Sequence, residues 1–369
     1  MYRKIMGFLE AWKENEHRKP LILQGARQVG KTYSILEFGR IHYENVAYFN
    51  FETNPKLNET FEEKISPDYL IPILSHIAGQ TIVKEKTLIV FDEVQLCERA
   101  LTSLKYFCED APDYHIIVAG SLLGVAVNRA KFSFPVGKVD MKTLYPMDME
   151  EFMIAVGEDE LVEQIKKCFE TNRPMPSALH DAAMQLYRQY LVVGGMPECV
   201  MQFVQTGDYI LIRHTQDTIL TSYLNDMGKY NNLNEIKKTR LAYDNITVQL
   251  SKKNTRFQYK LIKKGGRASE FENAIEWLCL SGIVSQVYRV EQIKKPLENY
   301  RDIDAFKIYV SDLGLLCAKK DLAANDILYM VEELNDFKGG MTENYVNVQL
   351  AINGYNTYYL SLIHISEPT

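Results

Sequence analysis

The chain has 369 residues, 46% of them hydrophobic and 24% charged, with a formal net charge of −6. That length exceeds one ordinary core and fits two or three compact units, and the composition excludes a disordered or collagen-like chain. No apolar run approaches the roughly 20 residues of a membrane span, so no membrane association is expected, and the acidic balance excludes wholesale coating of nucleic acid while leaving room for a local basic face.

The opening segment, MYRKIMGFLEAWKENEHRKP, has no long apolar stretch before Lys13, Glu14 and Glu16 and does not read as a secretory leader. The six cysteines contain no C-x-x-C pair and read as reduced, buried, small apolar residues of a cytoplasmic protein. The seven histidines form no i, i+4 pair, so no zinc site is expected.

The first 150 residues alternate short β-rich runs with helical patterns, the mark of a parallel α/β sheet. Strands are expected at Leu21–Leu23, Val46–Phe51, Leu88–Phe91, His115–Ala119 and Val139–Leu144, with helices over Lys31–Tyr43 and Ala100–Glu109. Near-continuous apolar strands of this kind belong in a sheet covered on both faces. From Met147 to about Tyr230 the pattern becomes helical (Glu150–Val156, Glu158–Thr171, Ala178–Val192, Tyr209–Met227), broken by Pro174, Pro176 and the Gly194–Pro197 turn.

Charge changes after Leu233. Lys237, Lys238, Arg240, Lys252, Lys253, Arg256, Lys260, Lys263, Lys264 and Arg267 face only Asp244 within that stretch. A helix over Ser269–Ser281 then leads through Gly282 into a strand over Ile283–Val290, and this order suggests a winged helix-turn-helix. A strand at Phe306–Val310, a turn at Ser311–Gly314, a helix from Thr342 to Ile352 after Gly339-Gly340, and a strand from Tyr355 complete the reading.

The chemistry concentrates in Gly25-Ala26-Arg27-Gln28-Val29-Gly30-Lys31-Thr32, which matches G-x-x-x-x-G-K-[ST] between an apolar strand and a helix. Glycines let the backbone wrap a triphosphate, and successive N–H groups at the helix start form a positive cradle. Lys31 is expected to bridge the β- and γ-phosphates of ATP, and the Thr32 hydroxyl to ligate Mg²⁺. The strand Leu88–Phe91 ends in Asp92-Glu93. Asp92 is expected to hold Mg²⁺ through water and Glu93 to act as general base toward the attacking water. This assignment asks that the two elements lie on neighbouring strands of one sheet. Ser121, at the tip of the next strand, is a candidate contact to the γ-phosphate or the water, and equally a helix cap. Arg99, Arg129 and Lys138 are candidate cations for a γ-phosphate, in the same chain or from a neighbouring copy in a homo-oligomer.

The blocks KPLILQ–GARQVGKT, FDEVQ, AGS, LYPMDMEEF, VVGGMPE, YVSDLGLL and TENYV occur in this order and resemble the prokaryotic predicted AAA+ superfamily ATPases, also called ATP-binding proteins. The resemblance covers Met1 to Tyr359. It implies an α/β fold class: a P-loop AAA+ parallel sheet with a helical lid, followed by a winged helix and a truncated α/β endonuclease-like domain. The boundaries that follow are 1–150 for the AAA+ ATPase domain, 151–230 for the lid or linker, 231–300 for the winged-helix-like region, 301–359 for the endonuclease-like domain and 360–369 for a non-native tail. In that last domain Glu343 occupies the place of a metal-binding glutamate, although an exposed cap in the first turn of its helix is the plainer reading. Where many relatives carry Gly-Arg before the fifth strand this chain has Gly137-Lys138, and lysine lacks the planar fork of an arginine finger. The ending, LSLIHISEPT, resembles translated sequencing adapter, with the natural chain expected to continue past Tyr359.

The function expected is Mg²⁺-dependent ATP hydrolysis that moves an attached module facing nucleic acid, with DNA met through Lys237–Arg267. The alternative is a nucleotide-dependent switch for a protein partner in a toxin–antitoxin or defence-like setting.

Overall fold

The computed structural model describes residues 1–121, 134–229, 233–250 and 256–360. The adapter-like ending, apart from Leu360, together with Arg129, Lys252 and Lys253, lies outside the described residues. The chain divides into two compact units, one running from Arg3 to Tyr145 and the other beginning at Pro146 and including Met1–Tyr2.

In the N-terminal unit α1 (Ile5–Glu14) precedes β1 (Leu21–Gln24), α2 (Lys31–His42), β2 (Asn45–Asn50), α3 (Leu57–Glu63), α4 (Pro67–Ala78), β3 (Thr87–Asp92), α5 (Glu98–Asp110), β4 (His115–Gly120) and β5 (Asp140–Thr143). The five strands make one parallel sheet in the order β2-β3-β4-β1-β5. β3 and β4 are buried along their whole length, as their unbroken apolar runs require, whereas the edge strand β2 alternates. One face carries an aromatic cluster in which Phe91 meets Phe49, Phe51 and Phe61 edge-on at 5.7–5.9 Å. The helices α1, α3 and α4 had no counterpart in the sequence reading. In α1 the apolar residues Ile5, Leu9 and Trp12 recur on one face and are buried.

One sequence expectation fails here. β1 and β3 are not neighbours, because β4 lies between them. The phosphate loop and the acid pair are instead bridged across the end of β4 by the first turn of α2.

The C-terminal unit opens with helices α6 (Met149–Ala155), α7 (Asp159–Glu170), α8 (Ser177–Val193), α9 (Pro197–Thr206) and α10 (Tyr209–Lys229). α6 starts in a complete capping box between Asp148 and Glu151. The blocks LYPMDMEEF, VVGGMPE and YVSDLGLL converge on one buried junction. The Met147 N–H donates to the Gly195 carbonyl (2.6 Å), the Tyr190 hydroxyl to the Met147 carbonyl (2.7 Å), and the Gly195 N–H to Asp312 Oδ2 (2.6 Å). Asp312 also caps α14 (Leu313–Lys319) by accepting from the Leu315 N–H, so Leu313 and Gly314 are helical rather than a turn. Burial pushes the Asp312 carboxyl up to about 6, against the backbone N–H groups that favour its anion.

Between these elements lie α11 (Leu233–Leu250), the short α12 (Tyr259–Ile262), α13 (Ala268–Leu280) and the strands β6 (Val284–Val290) and β7 (Arg301–Val310). β6 and β7 pair antiparallel, and β8 (Tyr358–Leu360) joins β6 in parallel. This sheet therefore runs straight across residues 300 and 301, where the sequence reading divided two domains. α15 (Ala324–Leu328) and α16 (Asn335–Ile352) follow β7. α16 begins seven residues before Thr342 and contains both Gly339 and Gly340. A Cβ on Gly340 would come within 2.2 Å of the Leu250 carbonyl, so this glycine serves a close crossing rather than a helix start.

Candidate active site

The loop after β1 turns through Gln28 (φ 65°) and Gly30 (φ 89°) into α2. Ala26 and Val29 are buried and face the core, whereas Gln28 is exposed and Arg27 half-buried. Lys31 is also buried. Its ammonium donates to the carbonyls of Gly25 (2.8 Å) and Ala26 (2.7 Å), the loop folding round its own lysine. Burial pulls the Lys31 pKa down to about 8, and the carboxylates of Glu93 and Asp92 oppose that shift.

Thr32 Oγ1 donates to Asp92 Oδ2 at 2.9 Å, so the second residue of α2 meets the tip of β3. The same carboxylate oxygen accepts from the Tyr48 hydroxyl at 2.7 Å, and Asn50 Nδ2 in turn donates to that hydroxyl at 3.1 Å. Burial, with the Asp92 hydrogen bond adding to it, pushes the tyrosine pKa up to about 12. Glu93 takes a left-handed backbone conformation (φ 52°), rare for a residue with a side chain, and its N–H donates to Asp92 Oδ1 at 3.0 Å. Gln95 Nε2 donates to Glu93 Oε2, while the buried Gln95 Oε1 has no partner among the described residues. Ser121 follows the end of β4 directly and is buried. A hydroxyl and a carboxylate oxygen, both hard donors, thus sit together at the loop, and that donor set suits Mg²⁺ better than a soft metal.

Tyr48, Asn50 and Gln95 escaped the sequence reading as site residues. Tyr48 and Asn50 occupy the polar face of the alternating strand β2, a period-2 signal that points to the partner strand only once β2 is known to lie beside β3. Gln95 closes the FDEVQ segment, and nothing in its local spacing marks it as a partner of Glu93.

Among the described residues, the candidate cations Arg99 and Lys138 are engaged elsewhere. Arg99 Nε donates to the Phe61 carbonyl, and Lys138 pairs with Glu109 at 2.8 Å. The basic stretch is partly neutralised, with Lys238 on Glu235 (2.9 Å) and Lys263 on Glu270 (3.1 Å). Asp244 is paired with Lys319 at 2.7 Å. The outer face of α13 adds the exposed Glu272 and Glu276. Glu343 is not a first-turn cap. It lies inside α16, pairing with Lys307 (2.8 Å) and accepting from the Tyr309 hydroxyl (3.2 Å). Among the described residues no group of three or more His, Cys, Asp or Glu side chains is arranged to hold a metal, and no helix is long and apolar enough to cross a membrane.

Residues 17–153 match a family model described as an AAA domain, and residues 184–326 match a domain of unknown function, DUF8612. No curated protein matches the chain by sequence. Among solved structures, the Walker-type ATPase PABY2304 of Pyrococcus abyssi is similar at a TM-score of 0.52 and 15% identity, over 86% of this chain and 95% of that one. The Aeropyrum pernix ORC2 protein in its ADPNP–ADP complexes gives 0.41 and 12% over 95% and 96%. The Thermotoga maritima RuvB Holliday junction branch migration motor gives 0.33 and 14% over 76% and 87%. The first of these shares the fold. With the loop, the lysine and the acid pair in place, residues 17–153 form a P-loop ATPase domain of the AAA type.

Proposed function

We propose that the chain is a Mg²⁺-dependent ATPase whose nucleotide cycle changes the conformation of its C-terminal module. The observation that carries this reading is the Thr32–Asp92 hydrogen bond, which joins the helix start that would cradle the phosphates to the acid that would hold the metal. Bound there, Mg²⁺ would draw charge from the β- and γ-phosphate oxygens. Thr32 and Asp92 would hold it, the second through water. Lys31 would leave the Gly25 and Ala26 carbonyls for the phosphate oxygens, and the loop N–H groups would receive the rest of the charge. Glu93 would take the proton of the attacking water, with its carboxylate held by Gln95. Ser121, at the end of the strand between β1 and β3, would meet the γ-phosphate or the water. With Arg99 and Lys138 engaged within their own unit, Arg129 of the same chain or a cation from a neighbouring copy in a homo-oligomer would complete the site.

For the C-terminal module, the order α11–α12–α13–β6–β7 supports a winged helix, and the exposed cations Lys237, Arg256, Lys264 and Arg267 would meet DNA phosphates. A second reading, a nucleotide-dependent switch for a protein partner, is favoured by the paired lysines Lys238 and Lys263 and by the exposed Glu272 and Glu276, which repel a polyanion. ATP turnover of the full chain with and without duplex DNA separates the two. Stimulation that fades with salt supports the nucleic-acid module, while nucleotide-dependent assembly with no response to DNA supports the switch.

A further inference from the structure

The segment just before α1 brings a buried cation, Arg3, to the phosphate loop. Arg3 is 5% exposed, and its guanidinium spans two main-chain carbonyls far apart in sequence. Nη1 donates to the Val29 carbonyl at 3.0 Å and Nη2 to the Tyr145 carbonyl at 2.8 Å. We propose that Arg3 is a positioning residue of the nucleotide site, which fixes the Val29–Gly30 peptide so that the Gly30 N–H faces the phosphate and ties that peptide to the last residue of the ATPase unit.

The argument begins with the peptide plane. In a trans peptide the C=O and the following N–H point in opposite directions, so whatever holds the Val29 oxygen also sets the direction of the Gly30 N–H. Val29 is fully buried, which leaves little water to satisfy its carbonyl and makes the guanidinium its designated donor. The Gly30 N–H has no acceptor among the described residues, while the Gly30 carbonyl accepts from the Ser34 N–H at 2.9 Å as the first bond of α2. An N–H left without a partner at a helix start is the group that an anionic oxygen fills. Gly30 also sits at φ 89°, outside the range that most residues tolerate, so its peptide would have other orientations open to it without an external tether.

The second arm gives the tether a mechanical anchor. Tyr145 lies two residues past the end of β5, the Leu144 N–H between them donates to the Gln24 carbonyl at 2.8 Å, and Pro146 opens the C-terminal unit. A fork-shaped, permanently charged side chain can hold both carbonyls at once, whereas a lysine can satisfy the two only from a single nitrogen. The loop that would close on phosphate and the strand that leads out of the unit are therefore joined through one side chain. This inference rests on the nucleotide-site reading proposed above.

The test measures MgATP and MgADP affinity, kcat and thermal midpoint for the full chain, for Arg3→Met and for Arg3→Lys. Because the Gly30 N–H would serve ATP and ADP alike, Arg3→Met is expected to weaken both by about tenfold or more, a rise in KM that exceeds the fall in kcat. Arg3→Lys, able to hold one carbonyl, is expected to recover part of that loss and to remain folded if the methionine variant does not. Unchanged nucleotide affinity in both variants, or a lowered midpoint with no change in KM, would overturn the proposal and leave Arg3 a structural tie. Lys31→Ala separates this failure from that of the site itself. If it too leaves ATP binding intact, the nucleotide-site reading fails and not only the role of Arg3.

Discussion

Thr32 Oγ1 and Asp92 Oδ2, sixty positions apart in sequence, lie 2.9 Å from each other. The hydroxyl belongs to the helix after β1 and the carboxylate to the tip of β3, with β4 running between those strands. Asp92→Asn would keep the side chain's size but remove the charge that would hold Mg²⁺. The half-saturating Mg²⁺ concentration for turnover is expected to rise at least about tenfold. Glu93→Gln is expected to keep ATP affinity within about twofold while lowering kcat by at least about a hundredfold, the scale of a lost general base. Filter binding of ATP beside steady-state phosphate release checks both, and undiminished release from Glu93→Gln would remove Glu93 from the role of base.

Gln95 holds the Glu93 carboxylate from within the same short segment. Gln95→Leu is expected to lower kcat by about tenfold, the value of one hydrogen bond to a charged group, while leaving the dissociation constant for ATP unchanged. Equal losses in binding and turnover would show that Gln95 supports the loop instead of the base.

His115 sits at the start of β4 against the Tyr43 hydroxyl, 2.7 Å from its Nδ1. Burial, helped by the nearby charges of Arg18 and Lys13, pulls its pKa down to about 4 from the ordinary 6.5. The folded protein thus binds fewer protons here than the unfolded chain between those values. The stability contributed by the neutral ring is present above pH 6.5 and is lost as pH falls toward 4, by on the order of 2 kcal/mol. Urea denaturation between pH 7 and pH 4 is expected to show this slope, and His115→Gln to flatten it.

In the C-terminal unit, a Cβ on Gly195 would approach the Met147 carbonyl to 2.0 Å, and Asp312 closes the same junction from the other side. Asp312→Ala would leave the N–H groups of Gly195 and Leu315 without their acceptor and is expected to cost about 3 kcal/mol. Gly195→Ala is expected to be at least as damaging, because main chain cannot yield as a side-chain tip can. The fluorescence of Trp277, buried in α13, reports unfolding of this unit in a Trp12→Phe background.

Local rules in the sequence were enough to locate the sheet strands, the phosphate loop and the acid pair, because each is written in contiguous residues: an apolar run, a glycine-bounded octet, a strand ending in Asp-Glu. Strand order was not local. The placement of β4 between β1 and β3 depends on which crossovers pack, so the expectation of adjacent strands failed while the contact it was meant to guarantee formed. The same limit hid Tyr48 and Arg3, whose partners lie 44, 26 and 142 residues away. It also made the run from Lys237 to Arg267 look more uniformly basic than it is, since pairs such as Lys263–Glu270 close only when helix and loop fold together. Sequence alone determined which chemistry the chain can hold, because residue type and short-range spacing carry that information. Tertiary structure decided which side chains stand guard over it, because a hydrogen bond between distant residues exists only after the chain has brought them together.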